Sequence, residues 1–277
     1  MGGARIVRAP SPPIPTFSRL DDIVTILGGT KLAFYPFSTN RGFYILPYGA
    51  GTDGIRMTSN DENGVVAVHA EFAPIPLIGG VYAYYFERAG NNHIVTSDNV
   101  AYTHGAGTSD NAFSCGAWIY PTEVLGTLST IVAKFGTTAA TSEEYDFRFD
   151  TSGNLVLELH DPSVPATEIA TGASDVLVPW AWNFVVATYD GAQAAPDIHL
   201  YRNASDTNAS GASTESGAYV AMQDTASEFM IGARDATATP AQEFLGYMAL
   251  PFITGKELTA ANVASLHGIG QELLGLA

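Results

Sequence analysis

The stretch from Ala112 to Tyr120 constrains the fold of this chain most tightly. Every second residue in it is apolar, and two large aromatic residues, Trp118 and Tyr120, fall on the opposite parity. Side chains of a strand alternate between its two faces, so both faces of this strand need packing partners. Pro121 cannot donate to a β ladder, so the strand is expected to end there. The stretch therefore predicts a strand inside a two-layer β structure, with Trp118 buried.

Similar short runs recur from Lys31 onward, separated by turn residues. The segment 150–154, Asp-Thr-Ser-Gly-Asn, joins two alternating runs and predicts a hairpin. Small polar residues at 203–217 predict an exposed loop, and a final helix is expected over 259–267, with Thr259 as its cap and Gly268 as its stop. The expected strands lie at 31–37, 64–72, 81–88, 93–96, 112–120, 128–135, 144–150, 154–160, 182–189, 197–202, 218–222, 228–233 and 244–253. Many short strands with few helices predict an all-β antiparallel sandwich.

Residues 1–30 differ in character from the rest of the chain. Residues 1–16 contain four prolines and favour an extended arm. Ser18 to Leu27 predicts a helix with one apolar face, which is too short to be stable alone and must pack on the main domain or on a partner. We expect a proline-rich arm and short helix at 1–30, a sandwich domain at 31–277, and assembly mediated by the first 30 residues.

Charge and cysteine content exclude several classes of partner. The net charge is −16, from 12 basic and 28 acidic residues, so phosphate-rich nucleic acid and anionic membrane surfaces would be repelled. No apolar run is long enough to span a membrane. Cys115 is the single cysteine; it excludes an internal disulfide and is expected to be a buried, inert thiol. The first residues lack the apolar core of a signal peptide, so we expect either that the chain is not exported by that route or that a signal has been removed.

An ordered series of motifs carries a resemblance to a known family. The motifs are Lys31-Leu-Ala-Phe-Tyr-Pro-Phe37, Ala83-Tyr-Tyr-Phe86 with Asn91-Asn-His-Ile-Val95, Phe113-Ser-Cys-Gly-Ala-Trp-Ile-Tyr-Pro121, and the segment 244–253 followed by 258–266. The series resembles the concanavalin A-like jelly roll, in particular its laminin G-like branch. The resemblance implies a two-sheet antiparallel jelly-roll sandwich, commonly a non-catalytic module that binds sugars, proteins or calcium. The segment 87–90, Glu-Arg-Ala-Gly, departs from the family's Asp-Gly turn and argues against a family cation site there.

The candidate catalytic residues lie in the segment 143–150. On a strand, Glu144, Asp146, Arg148 and Asp150 would share one face. Retaining glycosidases place two carboxyl groups about 5–5.5 Å apart, and strand neighbours at i and i+2 are roughly that close. Jelly-roll glucanases resembling this chain use Glu-x-Asp-x-x-Glu, whereas here the third carboxylate comes one residue later. Arg148 would also keep the carboxylates ionised. We therefore predict a polar strand face, no catalytic residue, and aromatic residues directed into the core: Tyr145, Phe147 and Phe149.

Calcium is the one cofactor for which the sequence offers candidates. Oxygen-bearing side chains cluster at 60–63, at 97–99 and at Asp235, and calcium takes six to eight oxygen ligands from several loops. Solvated turns are the alternative interpretation. The histidines have no zinc-site spacing: His69, His93, His104, His160, His199 and His267.

Two further patterns concern sugars. Asn203 and Asn208 match the glycosylation pattern, which we interpret as chance in a loop rich in serine and alanine. Trp180 and Trp182 are candidate platforms for sugar stacking; we expect Trp182 to pack in the domain and leave the role of Trp180 open.

The leading functional hypothesis is a non-catalytic structural or attachment protein of a virus particle, such as a phage capsid decoration or tail-associated protein. A jelly roll of a type displayed outside cells, without a signal peptide or a disulfide, motivates this hypothesis. The expected partners are other virion proteins or further copies of the chain, bound through the N-terminal arm, together with surface glycans. The alternatives are a secreted, extracellular carbohydrate-binding lectin module and a glycan-cleaving enzyme.

Overall fold

The computed structural model describes thirteen stretches of the chain, 18–28, 31–34, 44–45, 57–60, 75–76, 81–88, 93–96, 98–123, 126–136, 142–172, 177–193, 197–234 and 241–276. Helices α1 (Ser18–Leu27) and α2 (Ala260–Leu274) flank the strands. The strands are β1 (Leu32–Phe34), β2 (Tyr44–Ile45), β3 (Met57–Asn60), β4 (Ile75–Pro76), β5 (Tyr82–Phe86), β6 (His93–Thr96), β7 (Phe113–Pro121), β8 (Ser129–Phe135), β9 (Glu143–Phe149), β10 (Leu155–Asp161), β11 (Ala166–Thr171), β12 (Asn183–Tyr189), β13 (Ile198–Arg202), β14 (Ser205–Asp206), β15 (Thr214–Ser216), β16 (Phe229–Ile231) and β17 (Gly246–Thr254). Neither described helix is long and apolar enough to cross a bilayer.

The strands form two antiparallel sheets, as the sequence predicted. The first sheet has the order β14-β13-β12-β7-β17-β5-β4, with β1 also paired to β17. The second has the order β15-β11-β10-β9-β8-β16-β6-β3-β2. Strand β7, from which the sequence analysis started, lies between β12 and β17 in the first sheet. The architecture is a jelly-roll sandwich.

The main core lies between the two sheets. One parity of β7 faces it, with Phe113, Cys115 and Ile119 fully buried. Burial raises the pKa of the Cys115 thiol and keeps it protonated. From the second sheet, β9 contributes aromatic residues that the sequence also directed inward: Tyr145, Phe147 and Phe149.

A second core covers the outer face of the first sheet, beneath the two helices. Trp118 is 2% exposed and belongs to this core rather than to the one between the sheets. Its ring packs on Phe184 and stacks on His267 of α2, with centroid distances of 5.3 and 5.2 Å. The predicted burial of Trp118 is confirmed, and both faces of β7 carry a core.

Helix α1 packs on the sandwich through the apolar face that the sequence predicted. Leu20, Ile23 and Leu27 are buried in the second core. Thr254 in β17 donates its hydroxyl to the Leu27 and Gly28 carbonyls, at 3.0 and 2.7 Å. Of the two predicted alternatives, packing on the main domain or on a partner, the structure shows packing on the main domain. The boundary at residue 30 stays a prediction, and the arm at 1–16 lies outside the described residues.

Helix α2 is longer than predicted. Thr259 is its cap, with a capping box formed with Asn262. Gly268 does not end the helix, which continues for two more turns to Gly275, a residue with φ of 71° in the left-handed region. The prediction failed because apolar residues on both sides of Gly268 are buried in the second core, namely Leu266, Ile269 and Leu273. Such packing overrides weak helix propensity.

Three strand predictions need correction. Residues 218–222 form no strand; instead carboxylates satisfy their backbone, with the Met222 N–H donating to Asp110 Oδ1 at 2.9 Å and the Val220 N–H to Asp161 Oδ2 at 3.2 Å. Strands β2, β3, β4 and β11 were missed. The predicted loop 203–217 contains β14 and β15 and a buried Asn208. The predicted strand 64–72 lies outside the described residues.

Candidate functional site

The two candidate catalytic carboxylates have unrelated partners. The pairing of β8 with β9 shifts register opposite Glu144, and Glu144 is fully buried against Lys134 and Thr225. Its Oε1 accepts from both the N–H and the hydroxyl of Thr225, each at 2.8 Å. Burial raises the pKa of Glu144 to about 7, an effect that Lys134 opposes. A carboxylate enclosed in this way has no route to a glycosidic bond.

Asp146 is equally enclosed, by two guanidinium groups. Its Oδ2 lies 3.1 Å from Arg148 and 3.2 Å from Arg234, and its Oδ1 accepts from Thr130. The polar strand face that the sequence predicted is fully buried at Glu144 and Asp146, which are both 0% exposed. Asp150 instead closes the predicted hairpin by accepting from the Ser152 and Asn154 N–H groups.

The calcium candidates are only partly described. Residues 61–63, Ser97 and Asp235 lie outside the described residues. Asp98 pairs with Lys134 at 3.0 Å, and Asn99 accepts from the Ala101 N–H. Within the described stretches no three His, Cys, Asp or Glu side chains converge as a metal site would require. Calcium binding stays a prediction.

Two of the described histidines have carboxylate partners, and the second glycosylation pattern contains a buried, hydrogen-bonded asparagine. His160 lies 3.1 Å from Glu143, and His199 lies 2.8 Å from Asp206. His69 lies outside the described residues. The Asn208 amide is 6% exposed and donates to the Ile198 and Ala212 carbonyls. Glycosylation there would require breaking both hydrogen bonds.

A row of four aromatic side chains crosses the outer face of the first sheet, beside the helices. Its members are Tyr85, Tyr247, Tyr120 and Trp182, which we call the aromatic row. Tyr247 in β17 is opposite Tyr85 in β5 on one side and opposite Tyr120 in β7 on the other. The ring centroids are 4.9, 6.1 and 5.6 Å apart along the row. All four residues are partly exposed.

Strand parity explains why these rings face outward. The neighbours Tyr84, Phe86, Ile119 and Met248 are buried in the main core, so the residues between them point to the other face. Among the described residues the hydroxyls of the three row tyrosines bind no protein group, whereas buried Tyr145 donates to the Tyr102 carbonyl. The row thus combines partly exposed rings, tilted by 51°, 70° and 63° to their neighbours, with tyrosine hydroxyls at their edges.

A groove runs between one end of the aromatic row and helix α2. It encloses about 460 Å³, within the range of small-molecule sites. Tyr120 and Trp182 line one side of the groove. His267 and Gln271 from α2 line another side, and Asn203 also lines the groove. Asn203 is held in place because its Oδ1 accepts from the Phe184 N–H at 2.9 Å. Trp182 therefore does pack against the domain, as predicted, and also faces this groove.

Trp180 lies two residues before Trp182 in an unfavourable backbone conformation. Its φ is 61° and its side chain is 59% exposed. A bulky residue rarely adopts positive φ, and such strain is often stored at functional sites. The Trp180 N–H donates to the Pro121 carbonyl at 2.8 Å, which fixes its backbone next to the Tyr120 end of the row.

Sequence analysis found the two tryptophans of this region but not the row. Tyr85, Tyr120 and Tyr247 each sit on the outward parity of a predicted strand, which is a usable signal. The order and register of β5, β17 and β7 are not readable from the sequence, since these strands are far apart along the chain. The sequence therefore gave no indication that the three tyrosines are neighbours.

Several solved structures are similar to this chain in fold. The binding domain of botulinum neurotoxin serotype G has a TM-score of 0.53 and 13% identity, covering 86% of this chain and 51% of that one. Domain 4 of AbnA, an extracellular arabinanase from Geobacillus stearothermophilus, solved with arabinotriose, has a TM-score of 0.53 and 16% identity, covering 87% and 100%. Trypanosoma rangeli sialidase with sialic acid has a TM-score of 0.54 and 12% identity, covering 91% and 35%. The chain thus spans about half of the toxin binding domain.

Sequence comparison gives the family. No curated protein sequence matches the chain. The family model Laminin_G_3, described as the concanavalin A-like lectin/glucanases superfamily, matches residues 90–264. This match covers more than half of the sequence and includes β7, β9, β12 and β17 with the start of α2. The chain belongs to the concanavalin A-like lectin/glucanase superfamily.

Proposed function

We propose that this protein is a non-catalytic carbohydrate-binding module that holds a glycan along the aromatic row. The observation that carries the proposal is the row itself: four partly exposed rings, one after another, three on the adjacent strands β5, β17 and β7 and the fourth just before β12. Aromatic side chains contribute large apolar area at low entropic cost and, in tyrosine, a hydroxyl at the edge. A sugar ring has the matching surface, with C–H groups on its faces and hydroxyls around its rim.

The spacing of the row suits an extended ligand. Adjacent strands lie about 4.8 Å apart, so each strand offers one ring to a chain that crosses the sheet at a right angle to the strands. Strong backbone pairing on both sides of Tyr247 fixes the rings before a ligand arrives. Binding to a preformed surface avoids the entropic cost of ordering it.

The enclosure of the candidate carboxylates supports a binding role over a hydrolytic one. A retaining mechanism needs two carboxyl groups that both reach the sugar, whereas Glu144 and Asp146 are fully buried against separate partners. Domain 4 of AbnA, which has a similar fold, was solved with arabinotriose. That structure makes arabinotriose a reasonable first ligand to test.

The virion hypothesis remains a prediction, together with virion localisation and assembly through the N-terminal arm. The similar structures described above do not point to a virus particle. A carbohydrate-binding module is compatible with extracellular or virion display, because both place the protein near surface glycans.

The decisive experiment combines a glycan array, with arabinotriose included, and titration of Tyr247→Ala. Tyr247 has a neighbouring ring of the aromatic row on each side, so removing its ring interrupts the row. We expect the affinity to fall roughly tenfold or more, as for a central binding residue. Val220→Ala removes an exposed apolar side chain elsewhere and serves as the matched control with unchanged affinity. Absence of any glycan ligand, or equal binding by Tyr247→Ala and the native protein, would refute the proposal.

A further inference from the structure

The groove next to the aromatic row has two unlike walls. Tyr120 and Trp182 supply aromatic rings, while Asn203, His267 and Gln271 supply amide and imidazole groups. His267 is held in position by its stacking on Trp118, with ring planes 12° apart. The two walls together can hold the flat face of one sugar ring and the hydroxyls at its edge.

The groove carries no charge at neutral pH. None of its lining residues is acidic or permanently basic, and burial lowers the pKa of His267, which keeps the imidazole neutral. The nearest charged neighbours in sequence are engaged elsewhere: Arg202 donates its Nε to Asn183 Oδ1 at 3.1 Å, and Glu272 pairs with Arg19. A carboxylate entering the groove would lose water without gaining a cation, which is costly.

The hydrogen-bonding groups of the groove also favour hydroxyls. Gln271 and a neutral His267 each offer an acceptor as well as a donor. A hydroxyl can donate to those acceptors, whereas an ionised carboxylate can only accept. Polar groups left unpaired on binding discriminate strongly between similar ligands. The net charge of −16 adds a general repulsion of anionic glycans.

We infer that the groove is the selective subsite of the module and accepts one uncharged sugar unit of a neutral glycan, while the aromatic row holds the units that follow. Glycans bearing uronate or sialate at that unit are rejected. This inference rests on the proposed function, since it assigns the ligand class of the same site.

The test compares two sets of oligosaccharides of equal length: neutral arabino-, xylo- and cello-oligosaccharides, and oligogalacturonate. Calorimetric titration of the native protein should show binding to a neutral series and at least tenfold weaker binding to oligogalacturonate. Because the bound sugar is uncharged, its affinity should not change between low salt and 0.5 M salt, a range over which screening weakens ionic contacts.

Variants at Gln271 separate the groove from the row. Gln271→Ala should weaken neutral binding roughly five- to tenfold, the equivalent of one or two lost hydrogen bonds. Gln271→Lys should bind the neutral glycan less tightly and oligogalacturonate more tightly than the native protein, since it places a cation in the groove. Tyr247→Ala should weaken the binding of both the neutral glycan and oligogalacturonate.

The outcomes separate this inference from the proposed function. Native binding to oligogalacturonate as tight as to the neutral series, or neutral affinity within twofold in both Gln271→Ala and His267→Ala, would overturn the neutral groove while leaving a row-based glycan module standing. Failure of every oligosaccharide and of the glycan array would overturn both.

Discussion

Trp118 and Gly270 show how single residues set the contact between the first sheet and helix α2. A Cβ placed on Gly270 would lie 2.0 Å from the Trp118 Nε1 atom, so only glycine lets the helix approach the indole this closely. The sequence correctly predicted a buried Trp118 from strand parity. It could not show the role of Gly270, because the meaning of a helical glycine depends on which residue lies opposite.

Replacing Trp118 should be among the most destabilising single changes in the sandwich. Trp118→Ala leaves a cavity in the second core and should lower the free energy of unfolding by roughly 3–5 kcal/mol. Trp180→Ala, at a 59% exposed site, is the control and should change it by less than about 1 kcal/mol. Urea denaturation measures both, and a Trp118→Ala loss below about 1 kcal/mol would contradict the burial assignment.

Glu168 should make stability fall as the pH rises. It is fully buried in β11, and burial, reinforced by neighbouring Asp197 and Glu215, raises its pKa to about 7. Because this folded-state pKa lies above the ordinary value for glutamate, the stabilisation is complete below about pH 4.5 and is lost as the pH rises through about 7. Glu168→Gln removes the ionisable group, so the urea midpoint should vary less with pH between pH 5 and 8. If the urea midpoint of Glu168→Gln changes with pH as steeply as that of the native protein, Glu168 is not the cause of the pH dependence.

Helix α2 was predicted with a correct start and a wrong end, and the two glycines in it explain the difference. Local chemistry determines the start, where Thr259 and Asn262 form a capping box. The end depends on tertiary packing, which keeps Gly268 and Gly270 helical. Likewise, β11 was missed because its residues alternate only weakly in hydrophobicity, and its position is fixed by pairing with β10 and β15.

The same two glycines give a matched pair of substitutions. No atom lies within 4 Å of a Cβ placed on Gly268, so Gly268→Ala should stabilise the protein by about 0.5–1 kcal/mol through lower backbone entropy in the unfolded chain. Gly270→Ala should instead destabilise it by roughly 1–3 kcal/mol because of the clash with Trp118. Thermal melts compare the two directly. Effects of the same sign would show that helix propensity, rather than contact with Trp118, determines how both substitutions change stability.

For the whole molecule, composition and motif order were sufficient to predict the jelly roll, whereas the aromatic row was not predictable. The alternating runs, turn residues and ordered motifs are local signals, and they identify an antiparallel sandwich without knowledge of its register. The aromatic row exists only once β5, β17 and β7 are aligned, so it belongs to the sheet and not to any one segment. The partner of Glu144 was unpredictable for the same reason: a register shift beside Glu144 directs it to Lys134.

The first 28 residues contain two parts with different expected effects on stability, helix α1 and the segment before it. Helix α1 buries Leu20, Ile23 and Leu27 in the second core, at roughly 1.5–3 kcal/mol for each side chain. Removing residues 1–28 should therefore lower stability by several kcal/mol and expose the apolar surface around Phe34 and Phe252, which lie in the same core. Removing residues 1–17 should leave the thermal midpoint nearly unchanged.

The shorter truncation also tests assembly. The segment before Ser18 contains four prolines and two arginines, Arg5 and Arg8, in a chain of net charge −16. Prolines favour an extended chain, and the positive charge is complementary to the negative charge of another copy, so this composition suits binding across that copy. If it mediates assembly as predicted, sedimentation should give an oligomer for the full chain and a folded monomer for the chain that begins at Ser18. An oligomer that persists without residues 1–17 would contradict this prediction and place the interface within residues 18–277.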